Sequence, residues 1–173
     1  LIINHYTYKE IYNFVIISIN WYTNLYKEVN MTKELKVINE YKEVGYATDE
    51  SCGIDLYCYS EEDIVINPEE TKKINTGLKV QIPDGYFGAV YPRSSTGVKK
   101  QLMLANTVGV IDSDYRGEIM IFIYNYGKNP QTIQKGDRLA QLVIQPYQRF
   151  KIKEVDRLDD TDRGEGGFGS TGN

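Results

Sequence analysis

From Lys33 onward, turn signals recur roughly every 8–12 residues, the spacing of an all-β sandwich or barrel. The segments between them are strand-sized. Thr71 to Ile82 (TKKINTGLKVQI) sets Ile74, Leu78, Val80 and Ile82 on one parity, with Lys73, Lys79 and Gln81 on the other. That is the period of a half-buried strand. Pro83-Asp84-Gly85 is a turn, and Tyr86 to Tyr91 reads as the returning strand. Gly117 to Tyr126 (GEIMIFIYNY) is apolar on both parities, so it is expected to be covered on both faces. Gly127-Lys128-Asn129-Pro130 breaks it, and Arg138 to Ile144 (RLAQLVI) resumes. Only Ser95 to Ala105 (STGVKKQLMLA) has room for a short helix.

Several function classes fall to composition. The chain has 173 residues and a net charge of −4, from 20 basic and 24 acidic residues. That balance offers no long-range pull on a nucleic-acid backbone, so direct nucleic-acid binding is not expected and any phosphate contact must be local. The longest early apolar run, Phe14 to Ile19, is far short of the roughly 20 residues of a membrane helix. The single histidine, His5, lies outside every motif below, which argues against a Ser/His/Asp triad. Cys52 and Cys58 share one apolar stretch without a zinc-site pattern, so free thiols in a reducing, cytoplasmic compartment are expected.

Residues 1–30 differ in kind: they are rich in Ile, Asn and Tyr and lack Gly, Pro and Arg. The compact domain is expected to begin near Met31, the first methionine. The upstream part then reads as an extension, a cloning remnant or an early-frame translation, or as a short element packed on the domain. It has neither the basic region nor the small-residue cleavage site of a signal peptide.

Five stretches carry chemistry. Tyr91 to Gly97 (YPRSSTG) places Arg93 beside Ser94 and Ser95, a guanidinium fork with hydroxyl donors suited to phosphate. Its plainer reading is a helix capped by serine. In Asn106 to Gly117 (NTVGVIDSDYRG), Asp112 and Asp114 follow the apolar Val110-Ile111 and precede Tyr115. This is either an acidic hairpin turn or a carboxylate base beside an aromatic platform. Asp55 in CGIDL and Gln141 in RLAQLVI are polar groups inside apolar runs. A carboxylate there is solvated at a strand end or paired with a cation or metal, and an amide there is a satisfied buried group or a ligand contact. Finally, RGEGGFGSTGN, residues 163–173, contains a literal G-x-G-x-x-G at Gly164, Gly166 and Gly169. A dinucleotide fingerprint needs a helix after it, and four residues follow Gly169, so that reading fails. What is left is a flexible end or a phosphate-wrapping arm.

In order, CGIDL (52–56), PRSS (92–95), NTVGVIDSDYRG (106–117), GDRLAQ (136–141) and RGEGGFGSTG (163–172) closely resemble the five motifs of the trimeric dUTPase family. The resemblance implies a distorted jelly-roll sandwich over 31–158 with a flexible glycine-rich arm over 159–173. It implies a homotrimer whose shared sites hydrolyse dUTP to dUMP and diphosphate with Mg²⁺, keeping uracil out of DNA and supplying dUMP. Under it, Asp112 is the base that activates water. Asn106 and the backbone of the Val110–Ile111–Asp112 hairpin read the uracil edge, and Tyr115 lies under the deoxyribose. Arg93, Ser94, Ser95 and Gln141 hold phosphates, and Asp55 meets Mg²⁺ through water. Gly97 and Met120 are further implied substrate contacts. In the arm, Phe168 covers the base while Arg163, Ser170 and Thr171 clasp the γ-phosphate, and Gly169 is a further implied substrate contact. The rival readings are a dCTP deaminase or bifunctional deaminase of the same fold, and a regulatory nucleotide-binding homologue without turnover.

Overall fold

The computed structural model describes residues 33–167 together with Ile16 and Ile17. The rest of the N-terminal segment, and Phe168, Gly169, Ser170 and Thr171 of the arm, lie outside the described residues. Ten strands and a helix follow in order: β1 Lys36–Asn39, β2 Gly53–Tyr57, β3 Ile64–Ile66, β4 Thr71–Gln81, β5 Tyr86–Pro92, α1 Ser94–Lys100, β6 Leu102–Leu104, β7 Gly109–Ile111, β8 Glu118–Asn125, β9 Gln131–Ile133 and β10 Arg138–Pro146. They form two four-stranded sheets, ordered β1-β4-β8-β6 and β2-β10-β5-β7, and the pair β3-β9. This is the expected all-β sandwich.

The parity of Thr71 to Ile82 works as read. Ile74, Thr76, Leu78, Val80 and Ile82 are buried, and they face Ile54, Leu56, Val90 and Leu142 of the other sheet. The strand expected over Tyr86 to Tyr91 is present as β5, but it does not pair with β4. β5 pairs with β10 and β7, whereas β4 pairs with β1 and β8, so Pro83–Gly85 links the two sheets rather than closing a hairpin. The turn itself is as expected, with Gly85 at φ +79 and the Tyr86 N–H bonded to the Pro83 carbonyl at 3.2 Å.

β8 corrects a second expectation. Ile119, Ile121 and Ile123 are buried, but Met120 is 39% and Phe122 42% exposed on the opposite face. Among the described residues the sheet is covered on one side only, and the second apolar parity faces outward. The ladder between β4 and β8 shifts register between Asn75 and Lys79. Glu118 fills that break, accepting from the Thr76 and Gly77 N–H groups at 3.0 and 2.8 Å and from Asn75 at 3.2 Å.

α1 is shorter than its sequence allowance, and Leu102–Leu104 extends as β6 to pair with β8. Gln101 breaks the helix in the left-handed region, at φ 53. The residue preceding the helix is Arg93, and no side chain caps the first turn, so serine capping is not what Ser94 and Ser95 provide. The helix is anchored instead by buried Thr96, whose hydroxyl donates to the Leu139 carbonyl at 2.8 Å. Lys100 adds an ion pair to Asp137 at 2.6 Å.

Candidate active site

The structure brings four of the expected residues together. β2 and β10 place Asp55 opposite Gln141, and β10 and β5 place Gln141 opposite Tyr91, so the three strands align Asp55, Gln141 and the exit of β5 toward Arg93. Asp55, Arg93, Ser94 and Gln141 line one cavity of about 400 Å³ with Gly53 and Cys52. Gly53 has a packing reason. A methyl group there would stand 2.6 Å from Oε1 of Gln141, so the motif glycine lets that amide lie across β2. Ser95 sits in the first turn of α1, exposed. Gly97, one turn on, accepts through its carbonyl from the Gln101 N–H and the Tyr126 hydroxyl.

Asp55 is a nearly enclosed carboxylate, its side chain 8% exposed, held by two guanidiniums. Arg93 Nη1 donates to Oδ1, and Arg138 Nη1 donates to Oδ2 at 3.2 Å. Of the readings open in the sequence, pairing with cations is the one realised. Arg138 escaped the sequence reading, although GDRLAQ displays it beside the paired Asp137. Its partner is 83 residues away in the chain, and only strand register joins them.

The residues of the third motif lie elsewhere. Asp112 follows β7, the edge strand of the same sheet, and lines a cavity of about 680 Å³ with Val110, Ser113, Asp114, Phe87 and Arg149. The segment is not a hairpin, because β7 pairs with β5 while the following β8 belongs to the other sheet. The Tyr115 N–H donates to the Asp112 carbonyl at 3.1 Å, closing the turn between the sheets. The Tyr115 ring lies on Gly117, where a side chain would collide with it, and its hydroxyl donates to the Glu118 carbonyl at 2.9 Å. Asn106 sits exposed in the turn before β7, its amide close to Gly109. Met120 projects from the outward face of β8.

The two groups stand far apart within one chain. Ile111 is level with Gly88, so Asp112 is level with Phe87, six residues down β5 from Arg93. At about 3.3 Å per residue that is on the order of 20 Å along the strand. Asp55 lies three strand positions from β7 in the same sheet. The cavities around Asp55 and Asp112 share no lining residue.

Beyond β10 the chain runs on as exposed arm, with Phe150, Ile152 and Leu158 at 79, 90 and 82% exposure. Arg163 is exposed in a tight turn, its Nε donating to the Gly166 carbonyl at 2.8 Å. Among the described residues no three ligating side chains converge as a metal cage.

Comparison with known proteins adds independent findings. Residues 39–172 match the family model described as dUTPase. A deoxyuridine 5'-triphosphate nucleotidohydrolase of Finegoldia magna is 44% identical over 141 residues, covering 80% of this chain and 99% of that protein. One from Escherichia phage T5 is 48% identical over 131 residues, covering 72% of this chain and 88% of its own. Among solved structures, a dUTPase of phage 80alpha superposes with a TM-score of 0.72 at 29% identity, over 81% of this chain and 99% of that one. Another structure of the Staphylococcus bacteriophage 80alpha enzyme, with dUpNHpp, superposes at 0.70 and 28% identity, over 82% and 99%.

Proposed function

This chain belongs to the dUTPase family and hydrolyses dUTP to dUMP and diphosphate, and we propose that it does so at sites assembled between copies of itself. The observation that carries this reading is the separation of two motif clusters that one reaction must join. Asp55, Arg93 and Gln141 stand on one end of a sheet and Asp112 on its far edge, on the order of 20 Å away. A cyclic homotrimer resolves the separation, because a heterologous interface sets one chain's edge against the next chain's opposite end. The outward face of β8, with Met120 and Phe122, is apolar surface of the kind such an interface covers.

In the assembled site, Arg93, Ser94, Ser95 and Gln141 hold the phosphate chain. Arg93 exchanges one oxyanion for another, leaving the Asp55 carboxylate for phosphate, while Arg138 keeps Asp55 in place. Asp112 of a second copy takes a proton from the attacking water. Asn106, with the backbone around Val110 and Ile111, reads the uracil edge. The Tyr115 ring, fixed against Gly117, closes the space a 2′-hydroxyl would need. Asp55 would hold Mg²⁺ through water, and the ion would neutralise phosphate charge. The arm, through Arg163 and the residues from Phe168 to Thr171, closes over the nucleotide and excludes water.

No helix among the described residues is long and apolar enough to cross a membrane. Both cysteines are free, which supports a reducing, cytoplasmic setting. The deciding experiment is diphosphate release from dUTP, dCTP, dTTP and UTP in parallel, with Mg²⁺. Turnover of dUTP alone is expected. Ammonia from dCTP would instead assign the deaminase branch, and silence toward all four would remove the enzymatic reading.

A further inference from the structure

Beside the phosphate half lies a cluster that no motif includes. Tyr41 follows β1, Tyr57 ends β2 and Tyr59 lies two residues beyond. The Tyr41 ring is 6.4 Å from Tyr57 and 5.6 Å from Tyr59, centroid to centroid. Two lysines cover these rings. Lys42 Nζ is 5.2 Å from the Tyr41 ring and 5.0 Å from Tyr57. Lys135, from the β9–β10 turn, is 5.6 Å from Tyr41 and 5.3 Å from Tyr59.

The cluster borders the site. Tyr41, Lys42 and Tyr57 share a cleft with Asp55, and Tyr57 stands opposite Arg138 in the ladder. The neighbouring carboxylates are mostly engaged: Glu40 pairs with Lys79 at 3.7 Å, Asp137 with Lys100 at 2.6 Å, and Glu43 lines the cleft. Lys42 and Lys135 are both exposed, and among the described residues neither is within ion-pair distance of a carboxylate. Because the ammonium groups occupy the ring faces, the surface offers positive charge rather than a platform for stacking bases. Its partner should be a flexible anion.

The chain carries one. Residues 154–165 (EVDRLDDTDRGE) hold six carboxylates against two arginines, a net of −4, and all are exposed. Arg163 follows Asp160 by three residues, about 10 Å of extended chain. We infer that the Lys42–Lys135 surface over Tyr41, Tyr57 and Tyr59 docks the acidic stretch 156–162 of a second copy's arm, and so delivers Arg163 to the phosphate half. This rests on the reading of shared sites above. The dock converts nucleotide-dependent closure from a search by a loose tail into an event anchored three residues from its working arginine.

The test is charge reversal followed by charge exchange, with Mg²⁺ and dUpNHpp as the ligand. In the wild-type protein, dUpNHpp should protect Arg157 and Arg163 from trypsin. K42E/K135E should abolish that protection and raise KM for dUTP about tenfold with kcat nearly unchanged, and D159K/D160K should do the same. Combining all four changes should return protection and KM to within about threefold of wild type. Unchanged KM and protection in K42E/K135E overturn the dock. A defect that the combination does not repair also overturns it, since the lysines would then act on the substrate's own phosphates. Should K42E/K135E not fold, K42Q/K135Q replaces it, with a KM rise of about threefold expected and no change taken as refutation. To identify the donor chain, K135C/D160C in a C52S background should give disulfide-linked multimers on a non-reducing gel. Cross-linked monomers would overturn the second-copy assignment. A wild-type protein that fails to hydrolyse dUTP would sink the functional reading, whereas normal hydrolysis with an inert reversal sinks only the dock.

Discussion

The two halves of the site are built by opposite means. The phosphate half rests on three adjacent strands, with Asp55 enclosed between two arginines and Gln141 seated on Gly53. Its neighbour α1 is bolted down by Thr96 and Lys100. The base half stands on a three-residue edge strand and two turns, and Asp112, Tyr115 and Asn106 are all exposed. One is a rigid, pre-paired receptor for charge. The other is a presented surface, which on the proposed shared-site reading gains its solvent-free setting against another chain. A carboxylate meant to accept a proton can stand exposed until the site closes, whereas one meant to organise cations must be held.

The strongest way to break this comparison is Asp112→Asn. Hydrolysis should fall by about 10²–10⁴-fold while dUpNHpp still binds, because the phosphate half is untouched. Mixing the halves sharpens it. Asp112→Asn chains and Arg93→Ala chains, each nearly inactive, should regain activity after joint unfolding and reassembly, with roughly a quarter of random sites receiving both intact halves. No regain would mean that each site draws both residues from one chain, against the separation in the fold.

Removing the arm tests whether the exposed half needs covering. Truncation after Asp162 deletes Arg163 and the glycine-rich end but no strand, so the domain should keep its melting temperature. Steady-state kcat/KM should drop by about 10²-fold, as expected when a lid and a phosphate contact are lost together. Full activity would reduce the arm to a plain end. A smaller loss is expected at the sugar platform. Tyr115→Ala should lower the preference for dUTP over UTP by about 10–100-fold. Gly117→Ala should give part of that effect, because the ring must leave the position it now shares with the missing side chain. Equal selectivity in both variants and wild type would discredit the gate.

Much of the fold was legible because burial follows parity. The buried residues of β4 and the turn at Gly85 follow directly from TKKINTGLKVQI and PDG. Pairing was not legible, since parity names a strand's faces but not its neighbours. Thus the pattern marks Tyr86 to Tyr91 as a strand following the turn, and only the ladder shows that it joins β10 in the other sheet. Of the two apolar parities of β8, one is buried and the other is exposed among the described residues. In the candidate site, local patterns point to Asp55, Arg93 and Gln141 one by one, but Arg138 meets Asp55 only through register, which no local pattern displays.

The smallest effect separates the two cysteines that flank Asp55 on β2. Cys52 lines the phosphate cavity and is exposed, whereas Cys58 is fully buried behind the sheet. Desolvation pushes the Cys58 thiol up to about 11, with Asp137 and Asp63 adding to the rise. The folded protein therefore retains a proton that the unfolded chain gives up near pH 9. Its contribution is complete below that value and is lost as pH climbs through about 11, a decline of up to about 2–3 kcal/mol over the window. Denaturant midpoints measured from pH 8 to 11 should fall more steeply in wild type than in Cys58→Ala, which is less stable throughout but has no thiol to titrate. A thiol reagent at neutral pH should label one residue per chain, Cys52, and dUpNHpp should slow that labelling by filling the cavity. Parallel pH slopes in the two proteins, or labelling of Cys58 in the folded state, would show that the back of the phosphate half is open to water. The contrast between a held half and a presented half would then rest on the ion pairs alone.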